Sequence, residues 1–265
     1  MNLMASSEQS FFQKITYTDG IYPVLTANVI QNPNRFFAVP LIGMLVKIII
    51  LIPVFFELFA ITIWWLIVGV LINPFVVLFT GKYWPHAYQI ALGILRIQVK
   101  ISFFTFGLTD KYPGFSLSIN DVYSLDIPSP ESPNRSFAVP FLGGIIRSIL
   151  LIPYFIYVNI LSNAIGIGVM LLAWVVVLFK GKYPEGIFEL VRDSQRVSFA
   201  SVAYMIGLSD RYPSFYISMK HDKIKIILIV ISILWGGWNF ATDFTNKNND
   251  SFETIPPQNI YFPKK

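Results

Sequence analysis

Residues 39–79 read VPLIGMLVKIIILIPVFFELFAITIWWLIVGVLINPFVVLF, an almost unbroken apolar run of 41 residues whose only ionisable side chains are Lys47 and Glu57. Drawn out as one helix it would measure roughly 60 Å, twice the ~30 Å hydrocarbon thickness of a bilayer. Such a run is expected to fold back on itself as a two-span hairpin. The bend is expected near Glu57 to Thr62, because a later, matching stretch places Asn159, Ser162, Asn163 and Gly166 in that neighbourhood, and polar or small residues collect where backbone leaves lipid. Pro53 and Pro153 predict a kink in the first arm. The alternative is a tilted interfacial helix up to Pro53 followed by one span.

The rest of the chain fits a membrane protein. Of 265 residues, 54% are hydrophobic, 16% aromatic and only 13% charged, with a mean hydropathy of +0.59. Soluble proteins carry about 25% charged residues, so the composition excludes a disordered chain and argues against a soluble enzyme. Net charge is +5, but the basic residues are scattered singly, without the patch that nucleic-acid binding requires. They are better read as membrane topology and attraction to anionic lipids. Cysteine is absent, which excludes disulfides, thiolate nucleophiles and Cys-ligated metals. The first 35 residues include Glu8, Lys14 and Asp19 and no early apolar stretch, so no cleavable signal peptide is expected.

An internal repeat organises the sequence. Asn34-Arg35 and Asn134-Arg135 are each followed by Phe-Ala-Val-Pro ending at Pro40 and Pro140, an offset of 100 residues. The same offset relates Leu51-Ile52-Pro53 to Leu151-Ile152-Pro153, Gly81-Lys82-Tyr83 to Gly181-Lys182-Tyr183, and Gly107-Leu108-Thr109-Asp110 to Gly207-Leu208-Ser209-Asp210. Without a gap, 29 of 86 positions are identical between 34–119 and 134–219, which marks a duplicated unit. With the same order of elements in both copies, the two units are expected to share one topology.

The organisation follows from that repeat. The N-terminal segment 1–33 contains a short extended stretch, Ile21 to Ile30. Repeat 1 occupies 34–119, a proline-bearing linker 120–133, and repeat 2 134–219. After Gly81-Lys82-Tyr83 the pattern turns amphipathic, with His86, Gln89, Gly93, Arg96 and Lys100 at spacings of three and four. A helix of this kind is expected to lie along the membrane surface, because Arg96 and Lys100 near mid-membrane would cost about 2.5–3.5 kcal/mol each unless a polar cavity awaited them. Each unit ends in a Thr/Ser-Asp-Lys/Arg-Tyr-Pro turn, followed by extended stretches at Phe115 to Ile127 and Phe215 to Met219. Residues 220–240 predict a C-terminal transmembrane helix, and 241–265 a polar, flexible tail. The predicted fold is thus a mainly α integral membrane protein of two tandem repeats, each a hairpin plus an interfacial helix. On the hairpin reading, Arg35, Lys82, Arg135, Lys180 and Lys182 share one side with Lys111, Arg211 and Lys220 to Lys225. That side is expected to be cytoplasmic, giving five spans, an N-terminus inside and a tail outside.

No phosphate loop, nucleophile elbow, metalloprotease motif or other soluble-enzyme signature occurs, so no catalytic residue, cofactor or metal is expected. His86 and His221 read as polar residues at the interface, and Glu185, Glu189, Arg192, Asp193 and Arg196 as a solvated, salt-bridged helix face. Lys47, Glu57 and Arg147 are more pointed, because ionisable groups within apolar runs are functional candidates. Lys47 and Arg147 are equivalent positions. They either snorkel or pair structurally, with Glu57 or a backbone carbonyl, or they bind an anionic lipid or a permeating anion. Arg35 with Asp110, and Arg135 with Asp210, are expected to pair and tie the start of each unit to its end.

The blocks Asn-Arg, Leu-Ile-Pro, Leu-Phe-Thr/Lys-Gly-Lys-Tyr and Leu-Thr/Ser-Asp-x-Tyr-Pro-x-Phe resemble a tandem prokaryotic membrane-protein family defined only as a domain of unknown function. The resemblance covers about residues 20–220 and departs from the pattern at Trp84, where the second copy has Pro184. It implies a bacterial inner membrane and no activity. The expected function is a non-catalytic structural or accessory subunit of a larger membrane complex, with other membrane proteins or further copies as partners. The alternative is a small transporter, channel or anionic-lipid-handling protein using Lys47, Glu57 and Arg147.

Overall fold

The computed structural model describes residues 23–27, 30, 32–115, 124–130, 133–139, 142–218 and 222–253. It is mainly helical, with six helices: α1 Ile42–Thr80, α2 Pro85–Phe106, α3 Leu142–Leu150, α4 Ile152–Lys180, α5 Glu185–Met205 and α6 Asp222–Glu253. Three of them, α1, α2 and α4, are long and apolar enough to be candidate membrane spans, which points to a multi-pass membrane protein.

The expected bend at Glu57 to Thr62 is not made. Helix α1 runs unbroken for 39 residues, because the segment Glu-Leu-Phe-Ala-Ile-Thr holds no residue that stops a helix and Pro53 is accepted in line. The polar residues of the second copy are helical too, and Asn163 Nδ2 donates to Asn159 Oδ1 one turn earlier at 3.0 Å. The irregularity falls later, as a widened π turn at Leu66–Ile72 and again at Gly168–Ala173. Pro74 follows the first of these but Trp174 the second, so proline alone does not cause it. The second copy breaks beside Pro153, between Leu150 and Ile152, where the first copy runs on through Pro53. Both ends of α1 carry bare apolar side chains, with Leu41 75% and Phe79 78% exposed. Keeping both in a ~30 Å hydrocarbon layer at 1.5 Å rise per residue inclines the helix by roughly 60° from the normal.

The hairpin is made instead between α1 and α2. Gly81 turns the chain at a φ of 69°, the N–H of Trp84 donates to Asn73 Oδ1 at 2.9 Å, and Leu51 and Val54 then pack on Ile97, Ile101 and Phe104. Helix α2, expected on the membrane surface, is an interior element: 67% of its most apolar window is buried, against 17% for α1. Its arginine finds protein rather than headgroups, since Arg96 Nε donates to the carbonyl of Leu125 at 3.0 Å. That bond supplies the polar partner whose absence argued against burial.

Two short strands, β1 Val24–Thr26 and β2 Ser124–Asp126, pair antiparallel with Leu25 opposite Leu125. These lie within two of the expected extended stretches; residues 116–123 and Met219 fall outside the described residues, and 215–218 form no strand. Leu25 and Leu125 are separated by the repeat offset, so equivalent residues face each other, as a two-fold axis between the copies requires. Strand β1 packs on α5 and β2 on α2, while the 3-10 turns Arg35–Ala38 and Arg135–Ala138 seat on the ends of α4 and α1. Each copy thus lays its N-terminal segment on the other. The inner helices run in opposite directions: the end of α2 lies by Tyr183, just before α5, and the end of α5 lies by Tyr83, just before α2. Arg35 consequently lies by Gly181, and Arg135 by Gly81. The basic residues expected on one side are divided between the two ends of the inner pair.

Helix α6 carries the C-terminal apolar run but continues beyond the expected end at 240 to Glu253; residues 254–265 and His221 are outside the described set. It packs on α4 and α5. The choice is legible in residue size, because transmembrane helices approach closely over small residues. α4 presents Ala164 and Gly168 where α1 has Trp64 and Val68, and a Cβ on Gly168 would fall 2.8 Å from Leu228. Gly168→Val, which copies repeat 1, is expected to lower stability by about 1–3 kcal/mol through overpacking. Thermal unfolding in detergent reads the loss, and adding Leu228→Ala should recover part of it.

Candidate functional site

The geometry around positions 47 and 147 begins with the ends of the inner helices. A helix leaves its last carbonyls without partners and its C-terminus electronegative. Helix α5 is followed by Gly207 at a φ of 80°, and Arg147 fills the position facing that end. Its Nη1 donates to the carbonyls of Tyr204 at 2.5 Å and Ser209 at 2.9 Å, and its Nη2 pairs with Asp210 Oδ1 at 2.5 Å. The guanidinium lies 5.0 Å over the Tyr204 ring. Lys47 repeats the arrangement with fewer donors, its Nζ 3.5 Å from the carbonyl of Thr105 and about equally far from the rings of Phe37 and Phe104, 5.6 and 5.5 Å. Both cations are buried.

The two aspartates close the units, though not through the expected arginines. Asp110 Oδ2 accepts the N–H of Asn34 at 2.5 Å, and Asp210 Oδ2 that of Asn134 at 2.7 Å. The hydroxyls of Thr109 and Ser209 accept the N–H groups of Lys111 and Arg211, each at 3.1 Å, and shape the turns. Asp210 takes Arg147 as its ionic partner, while Arg135 stands over Gly81 and Arg35 over Gly181. A Cβ on these glycines would lie 2.5 and 2.8 Å from the respective Nη2 atoms. Both glycines also hold positive φ, so neither position accepts a larger residue without displacing an arginine. Glu57 does not meet Lys47, because ten residues of continuous helix put them about 15 Å apart. Its electrostatic neighbour is Lys100 on α2.

The stripe expected to be solvated is largely interior. Asp193 is buried, binds Arg192 at 3.0 Å and accepts the N–H of Ser218 at 2.8 Å. Glu189 binds the buried Lys225 at 2.8 Å, fastening α6 to α5. Arg196 Nη2 donates to the carbonyl of Tyr216 at 2.7 Å, the counterpart of Arg96 on β2. His86 is exposed, edge-on to Trp84. Among the described residues no group of three His, Asp or Glu side chains is placed to hold a metal ion.

The two cation sites differ in one respect that the pattern of identities did not reveal. Around Lys47 the space is closed, about 10 Å³ between Phe37, Asp110 and Trp174 of the other copy. Around Arg147 a cavity of about 60 Å³ bounded by Asn73, Tyr83, Asn134 and Asp210 adjoins an apolar cleft of about 540 Å³ between α1 and α3. The copies differ at several positions that line the cleft, among them Trp65 for Ile165, Gly69 for Val169, Pro74 for Trp174 and Gly144 for Met44. Tyr183 donates to the carbonyl of Phe106 at 3.1 Å, whereas the Tyr83 hydroxyl and Trp65 Nε1 are buried without a hydrogen-bond partner. Burial pushes the phenols of both Tyr83 and Tyr183 up, with Arg147 pulling slightly the other way on Tyr83. Both are therefore neutral donors.

Replacing Arg147 by Ala should cost about 3–5 kcal/mol, because it strands Asp210 and the end of α5 together. Arg147→Lys, which copies Lys47, should cost about 1–2 kcal/mol for the lost hydrogen bonds. Unfolding midpoints of the two variants in detergent check the order.

No curated protein and no solved structure matches the chain. A family match covers residues 143–216, from α3 through Tyr216, so the resemblance expected over residues 20–220 is carried by the second copy. The match names neither a repeat nor a membrane family: residues 143–216 match a Domain of unknown function (DUF4389).

Proposed function

We propose that this chain is a non-catalytic membrane protein serving as a structural or accessory subunit of a larger membrane assembly. The observation that carries the reading is the use made of the buried cations. Lys47 and Arg147 end on carbonyls at the ends of α2 and α5, and Lys225 fastens α6 to α5 through Glu189. Ionisable groups in a transport path or a catalytic centre need exchangeable partners, and these are committed to holding two copies of a unit in one body. The bare apolar flank of α1 adds side surface for lipid or for a neighbouring subunit. The partners are other membrane proteins or further copies of the chain, within a lipid environment that includes anionic lipids.

The location that goes with this reading is a bacterial cytoplasmic membrane, with the N-terminus cytoplasmic and the tail outside. Purification of the tagged full chain from native membranes in mild detergent is expected to retain a second polypeptide in fixed stoichiometry; recovery of the chain alone as a monomer would overturn the subunit reading. A reporter fused after Lys265 should be active only if exported, and cytoplasmic activity would reverse the orientation.

A second reading, the handling of anionic lipid, is favoured by one specific observation, the open cleft that ends on Arg147.

A further inference from the structure

We propose that the cleft between α1 and α3 binds an anionic amphiphile, its apolar chain between the two helices and its acidic headgroup against Arg147, Tyr83 and Trp65. This rests on the second reading and is independent of the subunit role.

The volume, about 540 Å³, falls within the ~300–1,000 Å³ range of ligand sites, which combine an apolar lining with a few convergent polar groups. Here the apolar walls are Val70, Leu71 and Phe75 on one side and Ile145 and Ile149 on the other. These side chains are all substantially exposed at the rim, so a chain enters sideways from the lipid phase. The polar end is different in kind. Arg147 is buried and fixed by Asp210 and two carbonyls, which holds its guanidinium rigidly at the cleft floor. Tyr83 and Trp65 are about nine-tenths buried, 9% and 8% exposed, and their O–H and N–H have no hydrogen-bond partner. Buried donors are rarely left so, and an acceptor-only group such as a carboxylate or phosphate monoester would satisfy both. The carboxylate of Asp210 borders the smaller cavity, but its charge is already matched by Arg147, and Arg135 over Gly81 adds a further cation two residues from Tyr83.

The other copy acts as an internal control. It keeps the cation, the aspartate and the glycine turn, yet fills the space with Trp174 and satisfies its tyrosine with the carbonyl of Phe106, although Trp174 Nε1 is itself buried without a hydrogen-bond partner. The cation and the tyrosine hydroxyl are held there without a cleft. The opening beside Arg147 is thus a separate property, lined by Gly69, Pro74 and Gly144, and a Cβ at Gly144 would meet nothing within 4 Å.

The test uses the full chain in phosphatidylcholine nanodiscs, with 9,10-dibromostearate as a quencher of tryptophan fluorescence. Saturable quenching is expected, most of it lost in Trp65→Phe. Gly144→Met, which has room to fold, should weaken binding at least 10-fold, and Tyr83→Phe 3- to 10-fold. The methyl ester of the same acid should bind at least 10-fold more weakly, and millimolar inorganic phosphate should not displace the acid. Equal binding by Gly144→Met or by the methyl ester would overturn the proposal, as would phosphate alone displacing the acid, which would indicate a headgroup site with no use for the chain. Each readout concerns ligand rather than protein partners, so its failure leaves the subunit reading standing.

Discussion

Two arginines seated on two glycines mark where the two copies cross. Arg35 of the first copy lies over Gly181 of the second, and Arg135 over Gly81. The exchange works because a glycine at positive φ ends each long helix, leaving a gap at the backbone that a planar guanidinium fits. With the strands crossed over in the same way, neither copy completes its surface alone. The apolar flanks of α1 and α4 can then be given over to lipid, since the work of cohesion is done by the inner helices and the segments laid across them.

Much of this was present in the sequence as periodicity. The offset between copies, the turn at Thr109-Asp110 and its twin, and the helices flanking Gly81 and Gly181 all appear where the pattern places them. The bend inside the first long helix does not, because only an upright crossing limits a span to the bilayer thickness, and an inclined helix escapes that limit. The surface placement of α2 is not met for a related reason: Arg96 faces protein and not lipid, and the strand that receives it comes from beyond the repeat and is visible only in three dimensions. The aspartates reach the starts of their units through the backbone of Asn34 and Asn134 and not through the expected Arg35 and Arg135, and a backbone partner is one that no charge pattern can display.

The candidate cleft was legible only in reverse. Similarity between the copies drew attention to Lys47 and Arg147, which turn out to be the shared, structural part. What separates the sites lies at positions that do not match, Met44 against Gly144 and Trp174 against Pro74. In a duplicated chain the shared residues record what the fold needs, and the departures record where one copy has been released from that need. The same contrast explains α6, which settles over Ala164 and Gly168 and avoids the bulk of Trp64 and Val68.

The opposition of Leu25 and Leu125 across the strand ladder has a bearing on ancestry. A two-fold contact is isologous: each surface is complementary to itself. A chain holding only one copy of the unit would therefore already possess both halves of the interface and would be suited to pair with a second molecule of the same kind. Joining two such molecules end to end would convert a concentration-dependent dimer into a single polypeptide of fixed stoichiometry. Once joined, the two seats would no longer have to be identical, and one could remain packed while the other opened.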